Sequence, residues 1–354
     1  MSRFLSEDLK NLVPYTPGEQ LAGNFIKLNT NESPFPPSSR VAESLNTVEI
    51  NKLNLYSDPT ADLLVSEIAK YYSVKKENVA VGNGSDEILA FAFNAFGEKG
   101  FICPEITYGF YPVFADFFGI DLETVQMEDD LSINPEKYYS SKRNIILANP
   151  NAQTGIYLDL NEIERIVRSN ENKIVIIDEA YIDFGGESAV SLIDKYDNLL
   201  VVQTFSKSRN LAGGRIGFAI GNKELIADIN TMKFSFNPYN VNRLSILAGS
   251  ASMSDCEYFI ECTKQIIENR ENLIEFCHAN GFIVTPSKAN FILMKHPSID
   301  GKDLYLQLKE KGILVRHLGG LISDYIRVTI GSKEQMDKFK EKTSEIIKCK
   351  IQEI

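Results

Sequence analysis

Residues 201–217 read VVQTFSKSRNLAGGRIG, and this stretch indicates how the chain folds. An apolar run ends in a polar loop that carries Lys207, and a second apolar run starts at Ile216, directly after a Gly-Gly-Arg sequence. The pattern predicts two buried strands joined by a polar loop. A lysine held at the end of a buried strand would be poorly solvated. Its pKa would then be lowered, and its amine could act as a nucleophile.

The residues around Lys207 suit an aldehyde that also carries a phosphate group. The amine could condense with the aldehyde, while Ser206 and Arg215 could hold the phosphate. The two glycines before Arg215 would let the backbone approach such a ligand closely. From this stretch alone, the alternative is an ordinary loop with a solvated lysine and a surface arginine.

The composition is that of an ordinary globular protein. The chain has 354 residues, enough for two domains, and its net charge of -11 argues against nucleic acid or an anionic membrane as the main partner. Its polar, acidic start is unlike a signal peptide, and no apolar run approaches the roughly 18 residues of a membrane span. Five scattered cysteines without a CxxC motif indicate reduced thiols and a cytoplasmic location. Three histidines without a HExxH motif or Cys/His cluster predict no metal site.

The pattern along the chain divides it into three predicted parts. Residues 1–60 are rich in turn formers and are expected to form an N-terminal arm. Residues 61–250 alternate short apolar runs with helical patterns, which is typical of an open α/β sheet covered on both faces. Residues 251–354 mix helices and strands and are expected to form a smaller α+β domain. Ligands of open α/β sheets bind at the carboxyl ends of the strands.

A glycine turn at Gly84-Ser85-Asp86 lies between a predicted strand and a predicted helix. The free N–H groups at such a helix start attract anions. The third glycine of a dinucleotide-binding motif would fall at Glu87, and the chain has no P-loop motif, so a single phosphate is the better ligand. A plain capped helix is the alternative.

Charged residues follow other predicted strands. Asp178 ends an apolar run, where a carboxylate needs hydrogen bonds or a cation to stay charged, and Tyr181 could reach the same ligand. A helix cap or buried ion pair is the alternative for Asp178. Arg316 and Arg327 lie on neighbouring strand-like segments and could clamp a carboxylate or phosphate. Two surface arginines are the alternative there.

Together these motifs resemble the histidinol-phosphate aminotransferases, a family of fold-type I pyridoxal-phosphate enzymes, over almost the whole chain. The motifs that carry the resemblance are Pro14-Tyr15, Leu28-Asn29-x-Asn31-Glu32, Tyr56, Gly84-Ser85-Asp86-Glu87, Asn149-Pro150-Asn151-x-x-Thr154-Gly155, Asp178-Glu179-Ala180-Tyr181, Thr204-x-Ser206-Lys207, Gly214-Arg215, Arg316 and Arg327. The resemblance implies an α/β fold. A large domain would hold a mostly parallel seven-stranded sheet, and a smaller α+β domain would follow at the C-terminus.

The resemblance also implies roles for residues around pyridoxal phosphate. Lys207 would bind the cofactor covalently and move a proton during the reaction, and Asp178 would pair with the pyridine nitrogen. Tyr181 and Asn151 would donate hydrogen bonds to the ring oxygen, and Tyr108 would stack on the ring. The residues expected to hold the phosphate group are Ser85, Asp86, Ser206 and Arg215.

The family works as a homodimer with shared active sites. Tyr56 would therefore reach the partner's site. Tyr15, Tyr56, Arg327 and, as a companion, Arg316 would surround the anionic group of the substrate. One departure from the family pattern stands at residues 152–155, where the usual Asn-Pro-Thr-Gly is replaced by Ala-Gln-Thr-Gly. This change leaves open which asparagine meets the cofactor ring.

The expected reaction is amino-group exchange between histidinol phosphate and 2-oxoglutarate, which yields imidazole acetol phosphate and glutamate in histidine biosynthesis. A threonine-phosphate decarboxylase and an aromatic amino-acid aminotransferase are alternatives within the same fold, because a few pocket contacts decide the substrate. A non-catalytic binding module and a dinucleotide-dependent oxidoreductase are alternatives from other classes. The Lys207–Asp178 pair argues against the first, and the incomplete glycine motif argues against the second.

Overall fold

A computed structural model describes residues 2–6, 9–21 and 23–352 of the chain, with backbone only for 351 and 352. The first residue, residues 7, 8 and 22 of the predicted arm, and the last two residues of the predicted C-terminal domain lie outside this description.

The strands of the large sheet are β2 (Val79–Gly82), β3 (Phe101–Pro104), β4 (Leu122–Val125), β5 (Asn144–Ala148), β6 (Val175–Asp178), β7 (Leu199–Thr204) and β8 (Gly217–Gly221). Their order across the sheet is β2-β8-β7-β6-β5-β3-β4. The inner strands are parallel, and β8 is antiparallel to both of its neighbours. The carboxyl ends of β2, β5, β6 and β7 therefore meet at one edge. The prediction of a mostly parallel seven-stranded sheet is confirmed.

Helices cover both faces of this sheet, which explains why its central strands are apolar throughout. The helices of this part of the chain are α1 (Ser39–Ser44), α2 (Thr47–Ile50), α3 (Asp62–Tyr72), α4 (Ser85–Phe96), α5 (Phe110–Phe118), α6 (Leu160–Arg168), α7 (Lys223–Phe236) and α8 (Arg243–Ser254). Every residue of β5, β6 and β7 is buried. On α6, Ile163, Ile166 and Val167 recur at helical spacing and point into the core.

A second layer holds a smaller antiparallel sheet in the order β12-β13-β10-β9. Its strands are β9 (Ile283–Val284), β10 (Phe291–Lys295), β12 (Arg316–His317) and β13 (Ile326–Thr329), and its helices are α9 (Cys256–Ala279), α10 (Gly301–Glu310) and α11 (Lys333–Gln352). The α+β character expected for this part is confirmed. The strand-like segment that carries Arg316 is split into β11 (Ile313–Leu314) and β12.

The N-terminal segment is built into this second layer rather than lying apart from it. Strand β1 (Ile26–Lys27) pairs in parallel with β11, and Leu28, Asn29 and Asn31 are buried. Residue 250, where the large domain is predicted to end, lies inside α8, and α9 begins at Cys256. None of the helices in the described ranges combines the length and the apolar character needed to cross a membrane.

Candidate active site

A cavity of about 340 Å³ opens at the edge of the large sheet where β2, β5, β6 and β7 end. Its walls come from segments far apart in the chain. Eight of the thirteen predicted site residues line this cavity, namely Ser85, Asp86, Tyr108, Asp178, Tyr181, Ser206, Lys207 and Arg215. Ala152 also lines it.

Lys207 lies in the loop after β7 and is half-buried beside the cavity. Its Nζ donates a hydrogen bond to the backbone oxygen of Thr30 at 3.1 Å, and the ring centroid of Tyr181 is 5.8 Å away. Burial and the nearby Arg327 guanidinium lower the pKa of Lys207 to about 8. A substantial fraction of this amine is therefore neutral near physiological pH, as a nucleophile requires.

Asp178 is the last residue of β6 and is buried against the cavity. Burial raises the pKa of its carboxyl group to about 6, although hydrogen bonds counteract that rise. Those bonds come from the Tyr111 hydroxyl at 2.9 Å and the Ala180 amide at 3.3 Å. The sequence analysis did not identify Tyr111, because its pattern is that of a core residue of α5. The folded chain brings it into contact with Asp178, which lies 67 positions away.

The start of α4, which also lines the cavity, carries the features of an anion site. Helix α4 begins at Ser85 without a side-chain cap, so its first N–H groups remain free for a ligand. Arg215 lies next to this helix start and forms an ion pair with Asp86 at 3.1 Å. A Cβ atom on Gly84 would come within 2.5 Å of the Arg215 guanidinium, and Gly84 has a φ of +82°, so glycine is required here.

The carboxylate of Asp86 has hydrogen-bond partners within the protein. It accepts hydrogen bonds from the Tyr108 hydroxyl at 2.7 Å and from Arg215. Because a carboxylate repels phosphate, Asp86 could contribute only its backbone amide to an anion site. The hydrogen bond to Tyr108 instead orients that ring at the cavity wall. Ser206 also lines the cavity and is buried, with its amide donating to the Thr204 hydroxyl.

Tyr181 points its hydroxyl group to a buried network at the cavity wall. Asn31 donates its side-chain N–H to the Tyr181 oxygen at 3.0 Å, and Thr329 donates to the Asn31 side-chain oxygen at 3.0 Å. The Tyr181 oxygen accepts from Asn31, so its own proton is free for another acceptor. Asn31 belongs to a motif noted in the sequence, but nothing there showed that it would contact a residue 150 positions away.

The structure does not bring Asn151 to the cavity. Its amide nitrogen donates to the backbone oxygen of Ile106 at 2.8 Å, and its oxygen accepts from the backbone amides of Gln153 and Thr154. These bonds use its side-chain oxygen and one of its two side-chain N–H donors, so one N–H remains available for another acceptor. Ala152 lines the cavity instead and offers no side-chain hydrogen bond.

The four residues expected to contact the substrate lie outside the cavity wall. Tyr15 stacks on Phe110 with ring centroids 4.4 Å apart. Tyr56 is 78% exposed and stacks on Tyr239 at 4.5 Å. Arg316 and Arg327 are direct partners in the pairing of β12 with β13, so they are neighbours as predicted.

The two arginines nevertheless reach different partners. Arg316 donates to the backbone oxygens of Thr16 and Pro17, which ties the N-terminal segment to the small sheet. Arg327 is half-buried and donates to residues of the loop at 149–155.

The residues at the cavity fit the pyridoxal phosphate that the sequence resemblance implies. They supply an amine with a lowered pKa, a buried carboxyl group and an uncapped helix start beside an arginine. These groups match the aldehyde, the ring nitrogen and the phosphate of that cofactor. No cluster of potential metal ligands occurs among the residues that the structure describes.

Comparison with known proteins agrees with this chemistry. The family model described as aminotransferase class I and II matches residues 23–342. The histidinol-phosphate aminotransferase of Brachyspira hyodysenteriae is 50% identical over 98% of this chain and 100% of its own length. That of Clostridium botulinum strain 657 is 48% identical over 98% and 99%. The solved structure of the Sinorhizobium meliloti histidinol-phosphate aminotransferase, in complex with pyridoxal-5'-phosphate, superposes with a TM-score of 0.88. It covers 99% of each chain at 21% identity, so it bears on the fold.

Proposed function

Because this chain belongs to the aminotransferase class I and II family of pyridoxal-phosphate enzymes, we propose that it is a histidinol-phosphate aminotransferase. It would transfer the amino group of histidinol phosphate to 2-oxoglutarate, giving imidazole acetol phosphate and glutamate in histidine biosynthesis. We further propose that it acts in the cytoplasm. The observation that carries the proposal is that Lys207, Asp178, Arg215 and the start of α4 line one cavity. The full-length similarity to enzymes of this name supports the choice of substrate.

When bound, pyridoxal phosphate supplies an aldehyde that reacts with amines and a ring that accepts electrons. Lys207 would hold the cofactor at its Nζ atom. The same Nζ would move the proton at the substrate carbon that bears the nitrogen. A pKa of about 8 suits this work, because the amine can both take and release a proton near neutral pH.

The other cavity residues would hold the cofactor and tune it. Asp178 would keep a proton on the ring nitrogen by offering it a carboxylate. The Tyr181 hydroxyl would donate to the ring oxygen, and Asn31 supports that direction by donating to the same hydroxyl. Tyr108 would lie against the ring. The phosphate would sit at the backbone amides of Ser85 and Asp86, with Ser206 and Arg215 as further donors.

The substrate's phosphate would bind on the side of Tyr15 and Arg327, with Arg316 supporting the N-terminal segment. Tyr56 is exposed in the single chain and is therefore free to contact a partner subunit, which supports a role across a homodimer interface. In such a dimer, Tyr56 of the partner subunit would complete each site.

An assay with purified holoenzyme tests the reaction. The protein is supplied with histidinol phosphate and 2-oxoglutarate, and glutamate formation is measured. We expect glutamate in proportion to histidinol phosphate consumed. Release of carbon dioxide from threonine phosphate without glutamate would replace the proposal with the decarboxylase, and faster turnover of aromatic amino acids would replace it with an aromatic aminotransferase.

Mixing two variants tests the shared site. Tyr56→Ala removes the residue proposed to cross the interface, and Lys207→Ala removes the amine. In a mixed dimer, one of the two sites would contain both natural residues. Activity that rises when the two weak variants are unfolded and refolded together would support a shared site. Activity equal to the sum of the separate variants would contradict it.

A further inference from the structure

The loop at residues 149–155 departs from the family pattern at Ala152 and Gln153, and the second change has a structural consequence. Gln153 is half-buried and uses both ends of its side chain. Its nitrogen donates to the backbone oxygen of Thr107 at 3.2 Å, and its oxygen accepts from Nη1 of Arg327 at 3.0 Å. A proline at this position would have no side-chain acceptor for the arginine.

One nitrogen of Arg327, Nη1, donates hydrogen bonds to two oxygen atoms. Besides Gln153, the backbone oxygen of Ala152 accepts from Nη1 at 3.0 Å, so both hydrogens of that nitrogen are occupied. The guanidinium carbon lies 5.0 Å from the ring centroid of Phe291. Within the described part of the chain, Nε is buried without a hydrogen-bond partner and Nη2 makes no protein hydrogen bond.

We propose that Gln153 is a positioning residue for substrate recognition, which fixes the Arg327 guanidinium so that Nη2 faces the anionic group of the substrate. The inference rests on the proposed function, because it assumes that Arg327 receives this group. Planar guanidinium donors lose affinity for phosphate or carboxylate when their plane is free to rotate. A side-chain acceptor on Nη1 restricts that rotation, and it leaves the positive charge available because glutamine is neutral.

A purely structural role for Gln153 would have a different signature. The residue also ties the loop to Thr107, so its loss could loosen the fold without touching recognition. In that case thermal stability would fall, while the Michaelis constant for the substrate would not change. Measuring KM, kcat and the melting temperature of the same variant therefore distinguishes the two roles.

The experiment compares Gln153→Met and Gln153→Glu holoenzymes with the natural protein. Gln153→Met keeps the side-chain length but removes the acceptor. We expect KM for histidinol phosphate to rise about three- to tenfold with kcat within about twofold, as for the loss of one hydrogen bond. Gln153→Glu keeps an acceptor but adds a negative charge that competes with the substrate for Arg327. We expect a larger increase in KM, of roughly tenfold or more.

A second measurement uses inorganic phosphate as a probe that does not react. Its affinity for each holoenzyme is measured by calorimetry, and we expect it to weaken in the same order as KM rises. Gln265→Ala is the matched control, since Gln265 is an exposed glutamine on α9 whose partner is Glu261. It should change neither quantity.

The outcomes separate the inference from the function on which it rests. Unchanged KM and unchanged phosphate affinity in both Gln153 variants would overturn the inference, whatever happens to stability. A natural protein that binds phosphate but does not turn over histidinol phosphate would refute the proposed function. The calorimetric comparison would still decide whether Gln153 positions Arg327 for an anion.

Discussion

The cofactor side of the site and its substrate side are built in different ways. On the cofactor side, Asp178, Ser206 and Lys207 come from the ends of adjacent parallel strands, and they meet in one cavity within a single chain. On the substrate side, Tyr15 and Arg316 belong to the N-terminal segment and the small sheet. Tyr56 lies on an exposed surface against Tyr239. The first region is fixed by the sheet, whereas the second depends on how separate segments, and in our proposal two subunits, come together.

This difference has a consequence for experiments. Changes on the cofactor side should alter cofactor binding or chemistry in each protomer independently. Changes on the substrate side should alter KM. The size of these effects should depend on whether the N-terminal segment is held in place and whether the proposed dimer forms.

The largest effect is expected from Lys207→Ala. Without this amine the protein loses both its covalent hold on the cofactor and the group that moves a proton, so kcat should fall at least about 10³-fold. Steady-state kinetics with histidinol phosphate measures the loss. Lys223→Ala, at an exposed lysine of α7, is the control and should keep normal activity. A near-normal rate for Lys207→Ala would remove the chemical basis of the whole account.

The pH dependence of cofactor loading should be the next largest effect. The neutral form of Lys207 is the reactive one, and its pKa is lowered to about 8. Between pH 6 and pH 8 the neutral fraction rises about fiftyfold, so the rate at which cofactor-free protein takes up pyridoxal phosphate should rise similarly and level off above pH 8. Stopped-flow absorbance measures this rate. A rate that still rises steeply beyond pH 10 would mean that burial does not lower this pKa.

Two arginine variants, one on each side of the site, compare the cofactor side with the substrate side. Arg215→Ala should weaken pyridoxal phosphate binding by about 10- to 100-fold, as for a lost charge-assisted hydrogen bond, with little change in KM for histidinol phosphate. Arg327→Ala should do the reverse, raising KM by a similar factor and leaving cofactor affinity nearly unchanged. Cofactor titration and steady-state kinetics measure the two quantities. If either variant changed both equally, the division of the site into two regions would fail.

The smallest effect is expected from Arg316→Ala. This arginine holds the backbone oxygens of Thr16 and Pro17, so its loss should free the N-terminal segment and move Tyr15. We expect KM to rise only about two- to fivefold, because neutral-acceptor hydrogen bonds contribute modestly. Faster proteolysis within residues 9–21, followed by mass spectrometry, would report the freed segment. A KM increase as large as that of Arg327→Ala would instead indicate direct contact with the substrate.

The sequence predicted the large sheet and the grouping of Asp178 and Lys207 because parallel strands of one sheet necessarily end at the same edge. It could not predict that the side chain of Asn151 forms hydrogen bonds with the surrounding backbone, since those bonds depend on the local path of the loop. Nor could it identify Tyr111, because this residue has the sequence pattern of a core residue and its contact with Asp178 spans 67 positions. The contact between Gln153 and Arg327 spans 174 positions and arises only when the two sheets pack together.

The visible absorption spectrum of the purified protein, loaded with pyridoxal phosphate, reports both the bond between Lys207 and the cofactor and the reaction with histidinol phosphate. It is recorded before and after histidinol phosphate is added, and again after 2-oxoglutarate follows. Our account predicts a yellow protein whose visible band collapses with histidinol phosphate and returns with 2-oxoglutarate. A protein that stays colourless with pyridoxal phosphate would contradict the assignment of Lys207. A yellow protein whose band ignores histidinol phosphate would contradict the assigned substrate.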